Sequence, residues 1–148
     1  MQDGGGADSG WDALAELDSP RGPADIIFVS IKVSEPHTRM APGGFKGLGG
    51  GYTAYVCVGV TSDGKTLEAE RRYSEFQTLR RAIGKYYPAL AELLPELPEK
   101  KAFGRFRDSF VEKRRAGLEE FLEAMLEHQR SYRFLSQFMQ RFLTVNQR

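Results

Sequence analysis

The sequence predicts an α+β fold, with a three-stranded antiparallel meander ahead of a run of helices. Three observations predict it. Apolar residues alternate with polar ones in segments near 25–33, 52–60 and 65–72. The turn cluster Ser62-Asp63-Gly64 separates the last two of these. After Ser74 the apolar spacing changes from two to between three and four residues, the change expected where a sheet gives way to helices.

The first strand is DIIFVSIKV (25–33), with Ile27, Val29, Ile31 and Val33 on one face and Ser30 and Lys32 on the other. PGGFKGLGGG (42–51) follows; it lacks the GK[ST] ending of a phosphate-cradling loop and runs into a strand-like segment, so it reads as a flexible strand-to-strand connection. YTAYVCVGV (52–60) and KTLEAERR (65–72) flank the turn and form a hairpin. Ser74 and Gln77 have the spacing of a capping box, and Phe76, Leu79 and Ile83 then recur at helical spacing until Pro88. The segment LLPELPEKKAF (93–103) is biased to extended backbone by Pro95 and Pro98. A long helix is predicted over about 107–128 and another over about 131–144. The apolar stripe Phe134, Leu135, Phe138, Met139, Phe142 and Leu143 of the last helix needs no explanation beyond core packing.

At 148 residues the chain has room for one domain and a tail. We assign 1–22 to an acidic leader without fixed structure, 23–145 to the domain and 146–148 to a tail. The leader carries Asp3, Asp8, Asp12, Glu16 and Asp18 against Arg21, a net −4, so the rest of the chain stands at +5 within the overall +1. Trp11, Leu14 and Leu17 could line one face of a short helix on a partner; scattered apolar residues in a tail account for them more simply. Cys57 is the only cysteine, and His37 and His128 are far apart, so no disulfide framework, metal site or His-based triad is expected. No apolar run approaches the roughly 20 residues of a membrane span, and the leader is unlike a secretory signal. A soluble protein of a reducing compartment, without a cofactor, is expected.

Two places carry chemistry. Arg72 and Tyr73 in ERRYSEF fall where the last strand turns into a helix. On the long helix, Phe110, Val111, Leu118, Phe121, Leu122 and Met125 cluster on one side at about 100° per residue, and Arg114 falls inside that stripe. A guanidinium drawn toward an apolar face needs an acid or an anionic ligand to meet it, or it must snorkel. Lys100 follows the proline-stiffened turn. Three cations and an aromatic ring at element ends suit a phosphorylated polyol, because arginine forks chelate phosphate or vicinal hydroxyls. The window 100–115 adds Lys101, Arg105, Arg107, Lys113 and Arg115, so seven bases against Asp108 and Glu112 give +5. Phe103 and Phe106 stand among them, and bases interleaved with aromatics fit nucleic acid or an anionic membrane surface.

In this order, RRYSEF, LPELPEK and EKRRAGLEEFL resemble the phox-homology (PX) domain of the sorting nexins, over roughly residues 24–144. The resemblance implies the PX fold, three antiparallel strands packed against a helical subdomain of three to four helices with a proline-rich connecting loop. It further implies a pocket for phosphatidylinositol 3-phosphate. Arg72 would grip the 3-phosphate, Tyr73 would pack against the inositol ring, Lys100 would meet the 1-phosphate, and Arg114 would bind the 4- and 5-hydroxyls. Phe103, with Phe106, Lys101 and Arg105 around it, would form the membrane-inserting surface. The sequence departs from the family in its glycine-rich connection and in the second lysine, Lys101.

The resemblance therefore implies a non-enzymatic, phosphoinositide-binding module. It would sit peripherally on the cytoplasmic side of early endosomes and act in protein transport with trafficking partners, without nucleic acid. A second reading is a protein-interaction module, since Pro95-Glu96-Leu97-Pro98 has the PxxP spacing read by SH3 domains, with only non-specific attraction to anionic lipid. No nucleophile–base pair or carboxylate dyad supports an enzyme.

Overall fold

Alternating burial fixes the orientation of the first strand, β1 (Phe28–Val33): Phe28, Ile31 and Val33 are buried and Val29, Ser30 and Lys32 exposed, with a register shift between Phe28 and Ser30. The coordinates are a computed structural model that describes residues 26–34, 36–40, 51–98, 108–132 and 134–144. β2 (His37–Met40) continues the same lane of the sheet, because both strands pair antiparallel with the long β3 (Gly51–Thr61), one at each end of it. β4 (Thr66–Arg72) pairs along the other side of β3. The sheet is thus a three-lane antiparallel meander whose first lane is interrupted, the expected architecture with one added strand. The glycine-rich segment 42–50 and the leader lie outside the described residues.

The hairpin closes as the turn cluster predicts. Thr61 donates its amide to Lys65 at 2.9 Å, and Gly64 adopts φ 89°, a conformation that costs a side-chain-bearing residue but not glycine. Cys57, between Tyr55 and Gly59 on the buried face of β3, is fully enclosed, and burial pushes its thiol up to about 12. It is a core residue, unreactive at neutral pH.

α1 (Tyr73–Tyr86) follows β4 with no intervening loop. It starts two residues earlier than the Ser74–Gln77 spacing predicts: the N-cap is Arg72, whose amide donates to Glu75 at 2.8 Å. The reason is that the carboxylate three residues past Arg72 captures that amide, which makes Glu75 the N3 residue in place of Gln77. α2 (Pro88–Ala91) is a short helix the sequence reading did not foresee, started by a proline at N1 where its missing N–H costs nothing. α3 (Asp108–His128) and α4 (Leu135–Phe142) complete the helical layer.

One core joins the layers. Phe28, Ile31, Val33, Tyr55 and Cys57 of the sheet meet Phe76, Leu79 and Ile83 of α1, Leu118, Phe121, Leu122 and Met125 of α3, and Phe138, Met139 and Phe142 of α4. α3 is also sewn to the sheet edge. The Gln129 amide, just past its end, accepts from the Phe28 amide at 2.8 Å and donates to the Phe28 carbonyl at 2.7 Å. At the other end of β1, Arg115 donates to the Val33 carbonyl at 2.7 Å. These side chains stand where a neighbouring strand would otherwise pair, and so occupy edge groups of β1. Among the described residues no helix is long and apolar enough to cross a membrane.

Candidate functional site

The β4–α1 corner sorts its two arginines by the strand's period of two. Arg71 points inward, 2% exposed, and Arg72 is exposed. Arg71 is committed to the fold: it donates to the Phe142 carbonyl at 2.8 Å, to the Thr144 carbonyl at 3.0 Å and to Glu75 at 3.3 Å, with its guanidinium 5.2 Å from the Phe142 ring centre. It therefore satisfies carbonyls at the end of α4, which a helix terminus leaves without intrahelical partners. Glu75 links both arginines, taking the Arg71 side chain and the Arg72 amide.

Tyr73, the first residue of α1, is half-buried. Its hydroxyl donates to the Pro98 carbonyl at the end of the proline turn. That turn is held from a second side by Arg80, which donates to the carbonyls of Pro95 at 3.3 Å, Ala91 at 3.1 Å and Leu94 at 3.1 Å. From a third side α3 meets it at Gly117, where a Cβ would come within 2.9 Å of Pro98 Cγ. A glycine is needed there for so close an approach.

One turn before Gly117 stands Arg114. Its guanidinium carbon lies 4.3 Å from the Tyr73 ring centre and 5.0 Å from that of Phe110. Tyr55 of β3, buried in the core, lies close enough to feel that charge. Burial raises the Tyr55 phenol above its ordinary value, and the adjacent Arg114 charge opposes that rise in part. The charge on the apolar stripe thus lies against two π faces, each attractive to a cation.

Arg115, one residue on, is a structural cation. It bridges Glu112 at 2.8 Å and Glu119 at 2.7 Å besides the Val33 carbonyl, and these hydrogen bonds raise its pKa while depressing that of Glu112. The surplus of bases counted along the sequence is accordingly smaller in space, because Arg115 is spent on two acids.

Of the residues singled out from the sequence, the fold brings Tyr73 and Arg114 into contact and sets Arg72 beside them at the corner. Lys100, Lys101, Phe103, Arg105 and Phe106 lie outside the described residues. The sequence reading missed Tyr55, Arg80 and Gly117. Only Tyr55 left a trace, as a polar-tipped aromatic among the small residues Ala54, Cys57 and Gly59 on the buried side of β3.

This geometry defines a class: an α+β binding module that holds a cation on aromatic faces beside a strand-to-helix corner. A family model described as the PX domain matches residues 59–146. Sorting nexin 1 of Arabidopsis thaliana is 32% identical over 121 residues, covering 76% of this chain and 27% of that protein. Sorting nexin-4 of Homo sapiens is 34% identical over 114 residues, 68% of this chain and 25% of that protein. The X-ray structure of a designed CISK-PX domain superposes with a TM-score of 0.56 at 26% identity, over 76% of this chain and 98% of that one. The mouse SNX19 PX domain shares the fold, with a TM-score of 0.57 at 22% identity over 80% and 97% of the two chains. The chain belongs to the PX domain family and is of the sorting nexin type. It spans about a quarter of the length of the two sorting nexins named.

Proposed function

We propose that this PX domain binds phosphatidylinositol 3-phosphate and thereby docks, peripherally, on the cytoplasmic face of early endosomes during protein sorting. The observation that carries the reading is the Arg114 guanidinium held 4.3 Å over the Tyr73 ring, next to the corner that exposes Arg72. In this reading Arg72 takes the 3-phosphate and Tyr73 packs against the inositol ring. Arg114 binds the 4- and 5-hydroxyls, so a phosphate at either position is excluded by the fit of the fork. Lys100 takes the 1-phosphate; the clamp on the proline turn by Tyr73, Arg80 and Gly117 ends at Pro98, two residues before it.

Phe103 and Phe106, flanked by Lys101 and Arg105, enter the bilayer interface. Each base near an anionic surface contributes about 1 kcal/mol and each buried CH₂ about 0.8 kcal/mol. The domain boundary is proposed at 23–145, with the acidic leader before it.

The test compares vesicles containing the 3-, the 4- or the 4,5-phosphorylated lipid at matched surface charge. Preference for the 3-phosphate supports the reading, and equal binding to all anionic vesicles reduces the site to a basic patch. In the same assay Phe103→Ala is expected to weaken vesicle binding while affinity for soluble inositol 1,3-bisphosphate stays nearly intact. A parallel fall in both affinities and in thermal stability would put Phe103 in the core.

A further inference from the structure

The amino end of α1 holds two competing start signals. Ser74 and Gln77 have the spacing of a capping box, and Glu75 offers an acceptor three residues past Arg72. The structure takes the earlier start. Arg72 is the N-cap with extended backbone, φ −88° and ψ 163°, and Glu75 Oε1 accepts its amide at 2.8 Å. Ser74 is already inside the helix: its side chain is exposed and its carbonyl accepts from the Thr78 hydroxyl at 3.1 Å.

The choice of start decides the geometry of the site. With the helix beginning at Tyr73, Arg72 stays in the β4 ladder opposite Ala54. Tyr73 then stands in the first turn, with its ring 4.3 Å from the Arg114 guanidinium and its hydroxyl on the Pro98 carbonyl. A helix capped by Ser74 would leave Tyr73 outside it. Successive side chains differ by about 100° along a helix and by about 180° along a strand, so such a slip would swing both Arg72 and the Tyr73 ring away from Arg114.

Charge alone gives no reason for Glu75 to stand here. A carboxylate three residues from the cation proposed to grip a phosphate repels that phosphate. Its other oxygen faces the Arg71 guanidinium at 3.3 Å, the longer of the two bonds. The short bond is the one to the Arg72 amide.

We infer that Glu75 is a positioning residue for the headgroup site: by capturing the Arg72 amide it selects the helix start that sets Arg72 at the strand end and Tyr73 against Arg114. The inference deepens the headgroup reading above and rests on it.

The experiment uses Glu75→Ala, Glu75→Gln, Arg72→Ala and the double variant Arg72→Ala with Glu75→Ala. Each is titrated with soluble inositol 1,3-bisphosphate, and affinity is referred to the folded fraction. Electrostatics alone predicts that Glu75→Ala strengthens binding of this anion. Positioning predicts a loss of about fivefold to tenfold, with most of it recovered in Glu75→Gln, which keeps an acceptor for the amide. In the Arg72→Ala background the same Glu75→Ala change is expected to cost less than about twofold, since the main cation it positions is gone. A gain or no change in Glu75→Ala, or equal losses in both backgrounds, overturns the inference. A second readout needs no ligand: the Cα chemical shift of Tyr73 in the unliganded domain. It is expected to be helical in the parent, to move toward extended values in Glu75→Ala and to return in Glu75→Gln; an unmoved shift also overturns the inference. If parent vesicle binding shows no preference among the 3-, 4- and 4,5-phosphorylated lipids, the headgroup reading fails. The Tyr73 shift then still decides whether Glu75 sets the helix start.

Discussion

The chain places two arginines side by side three times, and two of these pairs, at the β4–α1 corner and on α3, divide their work in opposite order. At the corner the first, Arg71, is buried against the end of α4 and the second, Arg72, is exposed. On α3 the first, Arg114, lies on the Tyr73 and Phe110 rings, while the second, Arg115, is tied to Glu112, Glu119 and β1. Neighbours on a strand point to opposite faces, and neighbours on a helix differ by about 100°, so either geometry separates adjacent side chains. The comparison teaches that local charge density says little about a binding surface. In each pair one cation is consumed by the fold, and which one depends on what the opposite layer offers.

The sharpest way to break this division is Arg71→Ala. It removes three hydrogen bonds made from a buried position, two of them to carbonyls at the end of α4. Breaking such an arrangement costs about 3–5 kcal/mol. Denaturant unfolding should register that loss, while headgroup affinity of the folded fraction remains normal. A normal stability with lost affinity would reverse the roles of the two corner residues.

Arg72→Ala should do the opposite. Its side chain is exposed, so the melting temperature should hold. Losing a charged hydrogen bond of about 1.5–3 kcal/mol should cut affinity for 3-phosphorylated lipid roughly tenfold to a hundredfold. Vesicle sedimentation beside a thermal melt reads both quantities.

Arg114→Leu tests the helix pair. Binding should fall, and stability should fall too, by about 1–2 kcal/mol, because two cation–π contacts go with the charge. Calorimetry and affinity on one preparation check this; an undiminished affinity would remove Arg114 from the site. Arg115→Leu is no neutral control, since it unties α3 from Val33 and leaves Glu119 without a cation it now holds.

The smallest effect is expected from Gly117→Ala. The added methyl would meet Pro98 Cγ at 2.9 Å, and the turn must give way by a few tenths of an ångström. Stability should drop by about 1 kcal/mol or less, because the gain in helix propensity offsets part of the clash. Headgroup affinity should weaken a few-fold if the turn positions Lys100; unchanged affinity would uncouple the turn from the site.

Much of the architecture was legible along the chain. Period-two alternation placed three strands, the Ser62-Asp63-Gly64 cluster closed the hairpin, and helical spacing found α1, α3 and α4. The corner motif and the helix motif named the family and pointed to Arg72, Tyr73 and Arg114. Three local details escaped it. The start of α1 depended on Glu75 outcompeting Gln77 for an amide, and β2 and α2, four residues each, are too short to carry a period.

What the sequence by itself determined, then, was periodicity, turn chemistry and the identity of the motifs, because these depend on residues within a few positions of each other. Tertiary structure alone decided which arginine of each pair is spent on the fold. It brought the Phe142 and Thr144 carbonyls to Arg71, the Pro98 carbonyl to the Tyr73 hydroxyl and the Tyr73 ring to Arg114. Each of these partners lies far along the chain from the residue it meets. No local rule encodes such a contact; it exists only once the sheet and helices share one core.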